Sequence, residues 1–252
     1  MEQFKIFDSH FHIIDKKFPL VENNGFMPEE FNVENYKTTV KNLNVVGGAV
    51  VSGSFQEFDQ SYLINALKIL GEKFVGVTQI PSSISDEEII KLHNCGIRAI
   101  RFNVKRGGSA SIHEIESFGN RVYELVKWHT EIYIDSTNLK DLIPKISKLK
   151  KFSIDHLGLS KEGLEFLKKL VEKGGIVKAT GFGRINFDPI KAIHELIKIN
   201  PNSVIFGTDL PSTRAPIPFS ENDVKKIINN FETNDIHNIL LNNAKYFYNI
   251  NI

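Results

Sequence analysis

The chain has 252 residues, with 31 Lys and Arg against 30 Asp and Glu, a formal net charge of +1. So even a balance argues against nucleic acid or an anionic membrane as the main partner. The single cysteine, Cys95, excludes an internal disulfide; no signal-like or membrane-length apolar run is present, so a soluble protein of a reducing, cytoplasmic compartment is expected.

Apolar, β-branched runs recur along the chain, each followed by a segment of helical period. FKIFDS (4–9) is the first, then VVGGAVVSG (45–53), FVGVTQI (74–80) and GIRAIRFN (96–103). EIYIDST (131–137), FSIDHLG (152–158), GIVKATG (175–181) and SVIFGTD (203–209) bring the strand candidates to eight. Between the third and fourth runs, Ser85 and Glu88 form a capping-box pattern ahead of a helix. Cys95, at the end of that helix, reads as a small buried residue. Pro144 shortens the helix expected in KDLIPKISKLK. In SKEGLEFLKKLVEKGG, Leu164, Leu167, Leu170 and Val171 form one stripe, stopped by Gly174 and Gly175. Two further helical patterns, near 220–231 and 234–248, close the chain.

Strand and helix alternating eight times in this length predicts an α/β fold, a (β/α)8 TIM barrel forming a single domain over residues 1–252. An open doubly wound sheet is the competitor, but its glycine-rich phosphate turn after the first strand is missing; HFHIID stands there instead. A closed barrel has no sheet edge, so association between copies would use helices or loops.

Barrel chemistry sits at the C-terminal strand ends. Strand one ends in Asp8, His10 and His12, which alternation would place on one face. Later ends carry Ser52 and Ser54, Gln79, Arg101 and Asn103 with Arg106 beyond, Tyr133 with Asp135, and His156. Strand seven leads to Arg184, and strand eight ends in Asp209 followed by Arg214. Only six residues are arginine, and Arg101, Arg106, Arg184 and Arg214 all fall here. Arginine forks bind carboxylates bidentately, so a small anionic substrate is expected.

Each residue also has a plainer reading. Asp209 suits a turn or cap, His156 a satisfied core histidine with Asp155 as partner or facing the helices, and Arg101 half of a buried ion pair. Their joint placement at strand ends favours a site. Lys178 shares a face with Thr180 on strand seven, where burial inside the barrel would demand a partner. His93, His113, His129, His194 and His237 are expected in helices or at their edges.

HFH, DHLG and GTD at three strand ends resemble the amidohydrolase superfamily. The longer phrases GIRAIRFNV, SIDHLG and FGTDLPSTRAP resemble its subgroup of 2-pyrone-4,6-dicarboxylate lactonase and sugar lactonases. The resemblance implies a hydrolase opening a carboxylate-bearing lactone, with Asp209 as general base and His10, His12 and His156 lining the carbonyl. Arg101, Arg106 and Arg184 would bind carboxylates, with Tyr133, Asn103 and Arg214 beside them. Binuclear members use a carboxylated lysine or glutamate at the fourth strand, where this chain has Arg101 and Asn103, so two metals are not expected. The cofactor is then none or one divalent metal, Zn²⁺ foremost, on His10, His12, His156 and Asp209. Two other readings remain open: a mononuclear metal-dependent hydrolase or nonoxidative decarboxylase of the same superfamily, and a non-catalytic binder of an acidic metabolite.

Overall fold

A computed structural model describes residues 4–251. Eight strands follow one another in a parallel sheet in sequence order. They are β1 Ile6–Phe11, β2 Val45–Val51, β3 Phe74–Thr78, β4 Ile97–Asn103, β5 His129–Tyr133, β6 Phe152–Ile154, β7 Ile176–Ala179 and β8 Val204–Phe206. Just past β8, the Asp209 amide donates to the His10 carbonyl and the His12 amide to the Leu210 carbonyl, both at 2.7 Å. Those two bonds stitch the last strand end to the first and nearly close the barrel, as expected of a (β/α)8 fold.

Alternation sorts the strand residues into two cores. Phe7, Ala49, Val51, Val77, Ala99 and Ile205 fill the barrel, plugged at its base by Ala244, Phe247 and Tyr248. Val50, Ile100, Ile132, Ile154, Val177 and Phe206 point outward against the helices. Those helices are α1 Val33–Thr39, α2 Ser61–Leu70, α3 Asp86–Asn94, α4 Ile115–Val126, α5 Ile143–Ile146, α6 Leu164–Glu172, α7 Pro189–Ile199 and α8 Glu221–Asn230. The Ser85 hydroxyl accepts from the Glu88 amide at the start of α3, and α5 is cut to four residues around Pro144. On α6 the stripe packs inward through Leu167, Leu170 and Val171. No described helix is long and apolar enough to cross a membrane.

The helical pattern at 234–248 forms as expected, though not as one regular α-helix: α9 Thr233–His237 passes through a wider π turn over Asn238–Asn242 into α10 Asn243–Tyr248. Other local expectations are corrected. His129 opens β5 and is buried, two residues before the expected strand and not at a helix edge. Cys95 is exposed, because the chain leaves α3 there on its solvent side. The most consequential correction lies in β1. Asp8 pairs with Gly48 but Phe11 with Val50, three residues against two, so a bulge resets the alternation. Asp8 therefore faces the helices, accepting the Tyr36 hydroxyl at 3.0 Å, while His10 and His12 turn to the barrel mouth.

Gly207 lets β8 approach this bulge, since a Cβ there would lie 2.6 Å from the His10 amide nitrogen and 2.8 Å from Thr180 Cγ2. Gly207→Ala is expected to destabilise the fold by about 1–3 kcal/mol through overpacking, read as a lower urea midpoint at unchanged slope.

Candidate active site

Three histidines and two aspartates converge at the barrel mouth. The His10 and His12 ring centroids are 5.1 Å apart, and those of His10 and His156 4.8 Å. His10 Nε2 lies 3.9 Å from Asp209 Oδ1, and His156 Nε2 lies 4.0 Å from the same oxygen. On the other edge of His10, Nδ1 is 3.7 Å from Asp155 Oδ1. All five residues are buried.

The neighbours fix how each group faces. His12 Nδ1 is 2.6 Å from the Val51 carbonyl, so that nitrogen carries the proton and the Nε2 lone pair is left for the site. His156 Nδ1 is 2.7 Å from Thr180 Oγ1. Arg184 Nε donates to Asp209 Oδ2 at 2.6 Å, and Nη2 to the Thr213 carbonyl. Arg101 grips Asp155 Oδ2 through Nε and Nη2, and its Nη1 donates to the Ser52 carbonyl. His156 and Asp209 both adopt left-handed backbone, at φ 51° and 62°, which turns their side chains inward where the strands end.

The opening above these groups is lined by Arg101, Arg106, Arg184 and Arg214, with Asn103 and Tyr133, while Asp155 and Asp209 lie beneath it. Arg101 therefore fits both sequence readings, a buried ion pair and a wall of the pocket. Arg214 is tethered to Asn23 and stacks 4.2 Å over the Phe26 ring. Asn103 accepts from the Arg106 amide and organises its loop. Ser52 turns away to Tyr62, Ser54 bonds Asn23, and Gln79 bonds the Gly53 and Gly108 carbonyls; these shape loops. Asp135 caps a short turn and pairs with Lys105 outside the mouth.

Asp155, Glu131 and Lys178 are the residues that sequence reasoning missed or left open. Glu131 is two residues before Tyr133 on β5, and Lys178 two before Thr180 on β7. Ionisable residues in phase with site residues on two strands were the available signal. A larger groove opens at the opposite end of the barrel, lined by Arg98, Lys151, Tyr246 and others, but among the described residues the His/Asp clusters are at the mouth.

With that geometry in place, relatives can be compared. The amidohydrolase family profile matches residues 7–250. The chain belongs to the amidohydrolase family. A 2-pyrone-4,6-dicarboxylate hydrolase of Comamonas testosteroni is 26% identical over 241 residues, covering 83% of this chain and 79% of that protein. An Agrobacterium tumefaciens protein solved without ligand superposes with a TM-score of 0.87 at 17% identity, covering 98% of this chain and 96% of that one. A probable 2-pyrone-4,6-dicarboxylic acid hydrolase of Acinetobacter baumannii, solved with citric acid bound, gives 0.83 at 21% identity, covering 97% and 99%. These two structures share the fold.

This amidohydrolase carries two His/Asp triads able to hold a divalent ion: His10, His12 and Asp209, and His10, Asp155 and His156. Orphaned atoms support the fit. His10 Nε2, Asp209 Oδ1 and Asp155 Oδ1 are buried without a hydrogen-bond partner, a costly state that a cation or water relieves. The histidines also hold the neutral form that ligands require. Burial, then the Arg101 charge, lowers His12 to about 3. Burial with Lys178 pushes His10 well below its ordinary value, and burial with Arg184 does so for His156. Asp209 is raised by burial, against the pull of Arg184.

Neutral buried histidines give acid sensitivity a definite sign. The unfolded chain takes up protons near pH 6.5 that the folded one refuses until about 3 at His12 and about 4 at His129. Stability is thus full above pH 6.5 and falls below it, by up to about 1.4 kcal/mol per pH unit for each histidine. His129→Phe is expected to remove one histidine's share of the slope between pH 6 and 4.5, measured from urea midpoints.

Proposed function

We propose that this amidohydrolase opens a small lactone bearing at least one carboxylate, with Asp209 as the general base. The observation that carries the reading is the split environment of Asp209. One oxygen is held by Arg184, and the other, without a partner, faces His10 and His156 at about 4 Å. A water there would lose its proton to Oδ1 as it attacks the ring ester, and the same carboxyl would return a proton to the departing ring oxygen. His10, His12 and His156 line the side on which the carbonyl oxygen gains charge. A divalent ion on His10, His12 and Asp209 would add Lewis-acid polarisation of the carbonyl and a more acidic water. The two orphaned atoms of that triad favour this metal-assisted form over histidine donors alone.

The substrate class follows from the mouth, where four arginines face the opening and only Arg101 and Arg184 are paired, with Asp155 and Asp209 beneath them. Among the described residues, the Arg106 side chain makes no intramolecular hydrogen bond, so its whole fork is disposed to take a carboxylate, and Arg184 adds its remaining Nη1. The Comamonas testosteroni relative, named for a pyrone dicarboxylate, supports a cyclic ester with acidic substituents.

The test is a panel of mono- and dicarboxylated lactones, including 2-pyrone-4,6-dicarboxylate, assayed with and without chelator. Turnover of at least one is expected; tight carboxylate binding with no turnover of any would overturn the hydrolase reading in favour of a binder. Asp209→Asn is expected to lower kcat by about 10²–10⁴-fold while substrate affinity is largely kept. Arg106→Ala should mainly raise KM, by about tenfold or more for a lost charge-assisted contact.

A further inference from the structure

Lys178 takes no part in the steps above, yet it is wholly buried beneath the site. Its ammonium donates to Glu131 Oε2 at 2.5 Å and to the Ser9 carbonyl at 2.9 Å. It also stands 3.5 Å from His10 Nδ1 and 3.9 Å from Asp155 Oδ1. Glu131 is itself clamped, accepting the Tyr248 hydroxyl of α10 at 2.6 Å and lying 3.0 Å from His129 Nε2. β1, β5, β7 and α10 thus hold one positive charge against the inner triad, His10, Asp155 and His156.

We propose that Lys178 is a resident cation of the site: its ammonium occupies the inner triad's place for a metal and confines any divalent ion to the outer triad, His10, His12 and Asp209. Asp155 already meets Arg101 at 2.8 Å on Oδ2, and Lys178 faces its remaining oxygen. A divalent ion bound by Asp155 Oδ1 and His10 Nδ1 would sit among two fixed cations in a low-dielectric interior, where like charges a few ångströms apart repel strongly. Lys178 has no route of retreat, since Glu131, the Ser9 carbonyl, His10 and Asp155 surround its ammonium within the packed barrel. Asp209 meets a single cation, Arg184, on its far oxygen, and Oδ1 stays open toward His10 and His156. The two triads share His10 but differ in charge, and the difference selects one.

The inference concerns this same site but not its substrate, so a metal count tests it even if no lactone is turned over. The measurement is equilibrium dialysis of the intact protein against Zn²⁺, counting tightly bound metal. Wild type is expected to saturate at no more than about one equivalent, and Lys178→Arg, which keeps the charge, at the same value. His10 is shared and a neutral imidazole offers one lone pair, so the two triads compete for one ion and the question is which of them holds it. With Lys178 in place, His12→Ala, which removes an outer ligand, is expected to leave no tight equivalent. In Lys178→Met with Glu131→Gln, which removes both charges and leaves hydrogen-bonding groups for Tyr248 and His129, the same His12→Ala change should leave about one equivalent bound on the inner triad. A tight equivalent in His12→Ala alone would overturn the proposal, whatever the folding of the triple variant. Absence of bound metal in a triple variant with wild-type circular dichroism would overturn it as well.

Discussion

Three carboxylates inside this barrel each have one close cation: Asp155 has Arg101, with Lys178 further off at 3.9 Å, Asp209 has Arg184 and Glu131 has Lys178. Every one of these six side chains is buried or nearly so, and in such surroundings an unpaired charge is not tolerated. Breaking a buried pair by deleting one member costs about 3–5 kcal/mol. The pairing also leaves the histidines with no need to be charged. Burial first, and then the guanidinium and ammonium groups around them, hold His10, His12 and His156 neutral, the state in which imidazole can ligate a metal or polarise a carbonyl. The acid–base character of the mouth is a consequence of how its charges are balanced.

That balance needs particular backbone. His156, Leu157 and Asp209 lie in the left-handed region, where non-glycine residues cost about 1–3 kcal/mol each unless the surroundings over-determine them. The supports are visible. Asp209 is held by its amide on the His10 carbonyl and by Arg184 on its carboxylate, and His156 by Thr180. The bulge in β1 works with them, since it brings His10 and His12 into the mouth and sends Asp8 out to Tyr36 and Thr208. Burial raises Asp8 to about 6, despite four hydrogen bonds to its carboxyl, so its place is in the wall behind the site. Strain, bulge and ion pairs together aim Asp209 Oδ1 at the histidines.

The barrel was legible because its cause is local and repeats. Runs such as FVGVT and VVGGAVV are too apolar to face water on either side, and a barrel strand faces the interior on one side and helices on the other. The Ser85 cap and the stop at Gly174 are likewise short-range devices. At 234–248 the amphipathic period marks the helix, but it cannot show where that helix slips into a wider turn. His129 was not legible as a strand residue, because its burial depends on Glu131 two residues on and on Phe247 and Tyr248 from the far end of the chain.

By itself the sequence determined the alternation of eight strands and helices, the family through HFH, DHLG and GTD, and the set of polar residues delivered to the strand ends. Each of these follows from residue type and spacing within a short stretch of chain. Only the tertiary structure decided which of those residues face one another. The flip of Asp8 rests on a one-residue mismatch between β1 and β2, and no property of either strand alone encodes it. Arg101 meeting Asp155, Arg184 meeting Asp209 and Lys178 meeting Glu131 are contacts across 54, 25 and 47 residues of chain. Such pairings are set by closure of the barrel, because the charges come within reach of one another only when the strands stand side by side.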